Sequence, residues 1–216
     1  MLTMKCDMGG AAATLGAFQV LAGRKVGARV VCALCIAENA IGPDSYRPDD
    51  VLTMHSGHTV EVNNTDAEGR LAIADGASYV ARKYAPSILV NAATLTGAQL
   101  IATGKAHAGI VSNDGDLEAA AVAAGLQSGE HCLPMLFSPE LMSAQFKSKV
   151  ADMRNSVSDR MNAQSAAAGQ FVYMHIDDVE GLRFLHIDLA GPAYPGDGAT
   201  GYGVGLIAET IVSQLA

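Results

Sequence analysis

The chain has 216 residues, 50% of them hydrophobic and 17% charged, enough for one globular domain, 1–216, with a substantial core and little room for a second. Lys and Arg number 14 against 22 for Asp and Glu, so the net charge of -8 disfavours nucleic acid and anionic membrane surfaces as partners. No apolar stretch approaches the ~20 residues of a spanning helix, and the start, Met1-Leu2-Thr3-Met4-Lys5-Cys6-Asp7, lacks the apolar core of a secretory signal. A soluble cytoplasmic protein with its four cysteines as thiols is expected.

Helical and strand-like segments alternate, which predicts an α/β fold with a mainly parallel, mixed sheet flanked by helices. After Gly9-Gly10, the positions Ala11, Leu15, Phe18 and Ala22 recur at helical spacing as far as Gly23. The apolar run 26–37 then reads as a buried strand. It carries Cys32 and Cys35, a C-x-x-C spacing without the second pair that would complete a zinc cage. Pro43 and Pro48 mark a long loop, and His58-Thr59-Val60-Glu61-Val62 alternates like a strand. Ile73, Ala77, Val80, Ala81 and Tyr84 define a helix that Pro86 ends, and 87–93 reads as another buried strand. Asp116 is a candidate cap for an Ala-rich helix closed by Gly125, and 183–189 reads as a strand. Val204, Ile207, Ala208, Ile211 and Leu215 form one apolar stripe on a closing helix. The mixed composition of 142–170 assigns it to no element.

The segment Asn63-Asn64-Thr65-Asp66-Ala67-Glu68-Gly69-Arg70 is polar, yet it sits at a βα junction, where α/β sheets bind ligands. Asp66, Glu68 and Arg70 are spaced by two, so an extended backbone points all three the same way, and the segment is expected to run extended up to Gly69. Two converging carboxylates suit a divalent cation, and Gly69 lets backbone approach an anion beside Arg70. The same residues also fit a helix start, with Asp66 as cap and Glu68 as a first-turn acid, and Asp7 ahead of the first helix has the same two readings. Spacing does not choose between them. His55 and His58 lie in a polar turn and His186 in an apolar strand, and none is assigned as a ligand.

Four stretches, MKCDMGGAA, RPDDVLTMHSGHTVEVNNTDAEGRLAIAD, NAATLTGA and HIDLAGPAY, in that order resemble the catalytic domain of the leucyl (cytosol) aminopeptidase family, of which NTDAEGR is the signature. IATGKAHAG and PELMSAQFKSKVADMRNSVSDR resemble in particular its branch of probable aminopeptidase-like proteins. The resemblance implies a metalloaminopeptidase acting on peptide substrates through two divalent ions, Zn or Mn. It makes Asp7 a ligand of one metal, Asp66 of the other, and Glu68 a bridge between them. Arg70 would hold a bicarbonate, which its fixed charge and planar donor fork suit. Met4, Thr94, Gly97, Ala190 and Ala193 correspond to the pocket for the substrate's N-terminal side chain, and Leu95 to the place where backbone meets anion and substrate. Ala193 stands where a larger Met is common, which alters the pocket's size.

The family also carries a motif G-K-G-x-x-x-D-x-G-G, with a metal-binding Lys, a bridging Asp and a catalytic Lys, just ahead of the segment matching Asp7. It occurs nowhere in these 216 residues. The expectation is therefore a catalytic domain incomplete at its N-terminus, without its N-terminal domain and inactive in isolation. The complete protein would be a homohexamer, and the alternative is a non-catalytic or truncated member acting as an oligomeric scaffold.

Overall fold

The computed structural model describes residues 2–196 and 198–215. A short 3-10 turn, Met4–Cys6, leads into α1 (Gly9–Gly23). Next come β1 (Val51–Thr53), β2 (Thr59–Glu61), α2 (Gly69–Tyr84), β3 (Ile88–Ala93), α3 (Gln99–Ala102) and β4 (Ala108–Ser112). Then follow α4 (Gly115–Ser128), β5 (Cys132–Pro134), α5 (Pro139–Met142), a 3-10 turn Ser143–Phe146, and β6 (Met153–Arg154). The chain closes with α6 (Gln164–Tyr173), β7 (Arg183–Asp188), α7 (Ala190–Ala193) and α8 (Val204–Ser213). Among the described residues no helix is long and apolar enough to cross a membrane.

The main sheet has the order β3-β7-β4-β5, with β3 parallel to β7, β7 antiparallel to β4, and β4 parallel to β5. A second sheet of three short strands runs β1-β2-β6. Period-two alternation divides β7 between two faces. Leu185 and Ile187 enter the cluster formed with α1, α4 and α8, whereas Phe184 packs with Ala77 and Ala81 of α2 and Val172 of α6. The result is a mixed sheet between two helical layers. A third cluster joins Val60 and Met153 of the small sheet to Leu71 of α2 and Phe171 of α6.

The ends of the helices follow local chemistry. Asp114, not Asp116, caps α4: its carboxylate accepts the Leu117 N–H at 2.7 Å and the Arg183 guanidinium at 2.9 Å. That helix runs through Gly125 and stops at Gly129, whose φ of 78° is the left-handed conformation glycine adopts without strain. Gly10 is required for another reason, since a Cβ there would lie 2.2 Å from the Ala92 carbonyl oxygen. Helix α1 can thus lie directly on β3.

One expected strand is absent. Residues 26–37 adopt no strand, and Val31, Leu34 and Ile36 are exposed. Within 27–39 the single backbone-to-backbone hydrogen bond is the local one from Ile36 N–H to the Leu34 carbonyl, at 3.0 Å. An apolar run supplies the tendency to be buried, but a strand also needs a ladder partner, and among the described residues none pairs with it. Cys32 and Cys35 accordingly lie on this unpaired segment as free thiols rather than in a buried strand.

Candidate active site

The functional segment begins where β2 ends. Residues 63–68 form turns rather than the expected extended stretch: Ala67 N–H bonds the Asn64 carbonyl at 3.2 Å, and Glu68 already has helical angles, φ -76° and ψ -37°. Asn155, fully buried, clamps this turn. Its side-chain carbonyl accepts the N–H groups of Asn63 and Asn64 at 3.0 and 3.2 Å, and its amide donates to the Asn64 carbonyl at 2.7 Å. Because Asn155 comes from the stretch that composition left unassigned, sequence reasoning missed it.

The turn places Asp66, Glu68 and Arg70 around one cavity of about 360 Å³, which Asp7, Thr94 and Leu95 also line. Six of the ten site residues named from sequence thus come together. Met4 is exposed ahead of α1, and Gly97 is exposed just before α3. Ala190 and Ala193 sit on α7, outside that cavity's lining, although Ala193 and Thr94 both contact the position of a Cβ at Gly9.

The electrostatics are those of crowded, half-buried acids. Burial raises the Asp7 carboxyl above its ordinary range; the Thr94 hydroxyl, donating at 2.7 Å, opposes this and the nearby Asp66 adds to it. Burial likewise raises Glu68, with Asp66 and Asp7 contributing, and its Oε2 is buried without a partner. Tyr46, donating to the Thr65 carbonyl at 2.8 Å, is pushed to about 12 by burial and by the same carboxylates. Arg70 lies behind them on the first turn of α2, 4% exposed, with Nε and Nη1 unpartnered. Burial pulls its guanidinium down to about 10, while Asp188 and Glu68 hold it up, so it stays charged at neutral pH.

Asp188, at the end of β7, organises the opposite wall. It accepts hydrogen bonds from Thr96 Oγ1 at 2.6 Å, Ser165 Oγ at 2.8 Å, Leu95 N–H at 3.1 Å, Thr96 N–H at 3.3 Å and Ala190 N–H at 3.4 Å. One carboxylate therefore fixes both the Thr94–Leu95 loop and the start of α7. The Leu95 amide is thereby engaged with Asp188. The signal for this residue was legible, since an acid inside the apolar HIDLAG stretch must find donors to be buried. His186, also fully buried, bonds Asn91 through Nδ1, whereas its Nε2 has no partner.

The three carboxylates offer hard oxygen donors that repel one another in the absence of a cation, and this chemistry fits divalent metal. The set is partial: among the described residues no group of three or more His, Cys, Asp or Glu is close enough to hold an ion by itself.

The acid-lined cleft over a buried arginine sits on a helix–sheet–helix frame, and comparison with known proteins assigns the class. The model of the cytosol aminopeptidase family catalytic domain matches residues 1–208, and the chain belongs to that family. It is 50% identical to the leucyl aminopeptidase of Trypanosoma cruzi, covering 97% of this chain and 41% of that one with a TM-score of 0.93. It is 49% identical to "Probable aminopeptidase NPEPL1" of Mus musculus, over 94% of this chain and 39% of that protein. Leucine aminopeptidase 1 of Caenorhabditis elegans is 46% identical, over 98% and 43%. The chain thus spans about two-fifths of the length of these relatives. A Trypanosoma brucei leucyl aminopeptidase of the same fold, TM-score 0.91, has been solved with actinonin.

Proposed function

We propose that this chain forms part of a metal-dependent aminopeptidase that removes N-terminal residues from peptides. The observation that carries this reading is the gathering of Asp7, Asp66 and Glu68, two of them with raised carboxyl pKa values, in one cavity with the buried Arg70. Asp7 and Asp66 would each hold one divalent ion, Zn or Mn, and Glu68 would reach both. Such a pair, when bound, supplies Lewis acidity toward the scissile carbonyl and the attacking water.

The chain's own residues bind and orient. Arg70 keeps its charge in a buried setting with Nε and Nη1 unpartnered, and an edge of its planar guanidinium would grip a planar oxyanion such as bicarbonate. It would orient a proton acceptor rather than act as one. Thr94 donates to Asp7, and Asp188 holds the backbone amides of Leu95 and Ala190, which would flank the substrate. Met4, Gly97 and Ala193 would extend that pocket toward the substrate's first side chain. Membership of the cytosol aminopeptidase family supports a cytoplasmic setting, and the longer protein would assemble there as a homohexamer, as the resemblance to that family implies.

Hydrolysis of leucyl and alanyl amides by the longer protein with Zn²⁺ or Mn²⁺ tests the reading. Glu68→Ala is expected to lower kcat by at least about a hundredfold, as removal of a group stabilising developing charge does. Activity undiminished by that substitution refutes the assignment.

A further inference from the structure

Asp66 is exposed on the turn 63–68 and yet lines the acid-lined cavity. An exposed carboxylate has water to bond and little packing to direct it, so where it points is set by the backbone that carries it. That backbone is held with unusual completeness. The peptide unit between Thr65 and Asp66 is engaged at both of its polar atoms. Its N–H donates to Asn64 Oδ1 at 3.0 Å, and its carbonyl accepts the Tyr46 hydroxyl at 2.8 Å. The first bond is local to the turn. The second comes from a residue nineteen positions upstream.

Tyr46 stands on a firm mount. Its ring packs against the cluster that contains Met54, Val60 and Leu71. Just beyond it, Asp49 N–H donates to the Val62 carbonyl and Val62 N–H donates to the Asp50 carbonyl, both at 2.8 Å, which ties this loop to the end of β2. Arg47 N–H donates to Asp50 Oδ2 at 2.7 Å and tightens the same corner. The phenol reaches from there to the wall of the cavity. Asn155 bonds backbone groups of Asn63, Asn64 and Ala67, and Tyr46 bonds the Thr65 carbonyl between them. A phenylalanine would fill the space of the ring, so the hydroxyl is there for that one carbonyl.

We propose that Tyr46 is a positioning residue for the site: by holding the Thr65 carbonyl it sets the peptide plane ahead of Asp66 and aims that carboxylate at a divalent ion. Metal affinity then depends on a hydroxyl that is not itself a ligand. The proposal rests on the metal-dependent reading of this site. Removing a group that orients a metal ligand from behind typically weakens binding by about 10–100-fold.

The test is calorimetric titration of the longer protein, stripped of metal, with Zn²⁺, in the parent and in Tyr46→Phe, Asn64→Ala and the double variant. Each single variant is expected to weaken binding by at least about tenfold. The double variant should weaken it by less than the product of the two, because both bonds hold one peptide unit. The urea midpoint of metal-free Tyr46→Phe should match the parent's, since the ring and its packing remain. With saturating metal, its kcat and KM for a leucyl amide should return to within about threefold of the parent's. A Zn²⁺ affinity of Tyr46→Phe within about twofold of the parent's overturns the proposal and leaves the aminopeptidase reading intact. A urea midpoint that falls along with the affinity, or losses that multiply in the double variant, would make the hydroxyl a support of the fold rather than of Asp66 and overturn it too. A parent protein that takes up no divalent ion overturns the aminopeptidase reading, and the proposal with it.

Discussion

Replacing Asp188 by alanine should do more damage than any other single change on the sheet side of the cleft. The carboxylate accepts five hydrogen bonds, and its partners Thr96 and Ser165 are 6% and 2% exposed, so both hydroxyls would be left in the interior without an acceptor. Each buried group left unsatisfied costs about 1–3 kcal/mol, and the backbone donors at Leu95 and Thr96 add to that. A loss of roughly 3–5 kcal/mol follows, partly offset because burial raises the Asp188 carboxyl and makes the anion itself costly. For a chain of this size the melting temperature should fall by roughly 8–15 °C. Asp188→Asn keeps the Oδ1 acceptor for the three amides and turns the other atom into a donor that rotated hydroxyls can meet, so about half the loss should be recovered. Urea unfolding followed by circular dichroism measures both variants. Equal losses below about 1 kcal/mol would show that Asp188 does not hold the Thr94–Leu95 loop as described.

His175, buried with its Nδ1 bonded to Ser56 Oγ at 2.7 Å and its Nε2 unpartnered, is held down to about 4 by burial and by His58. The folded pKa lies below the unfolded value near 6.5, so its neutral form favours folding above pH ~6.5 and stability is lost as pH falls from there to about 4. The loss should be on the order of 2 kcal/mol at pH 5, and a urea midpoint in His175→Gln that varies with pH as in the parent would refute it. Gly10→Ala places a methyl 2.2 Å from the Ala92 oxygen and 2.4 Å from the Ala93 Cα, both backbone, so it should cost about 3 kcal/mol or more, read from thermal unfolding. The chain by itself should bind Zn²⁺ weakly in calorimetric titration and show negligible turnover of a leucyl amide, because Asp7, Asp66 and Glu68 form only part of a shell. Tight two-site binding with robust turnover would contradict that.

Most of the frame was legible because its elements carry their own signals. Helices α1, α2 and α8 and strands β2, β3 and β7 each have an apolar period and a stop, such as Gly23 or Pro86, within one short window. Six site residues were legible from motif and meet in one cavity. Their local conformation was not. Spacing by two suggested an extended backbone up to Gly69, whereas the turn is imposed by Asn155, some ninety positions away in sequence, whose side chain bonds four of its backbone groups. A clamp of that kind leaves no periodic trace.

The apolar run 26–37 fails for a different reason, and the reason bears on how a strand is specified at all. Helical hydrogen bonds are local, so an amphipathic window such as 204–215 contains all the partners its backbone needs. The bonds of a strand lie on other segments, and composition can announce only that a stretch is suited to burial between layers. Residues 26–37 have that composition and yet stay unpaired and partly exposed across a cavity from β3. Reading them as a strand was therefore wrong, because among the described residues no strand pairs with them.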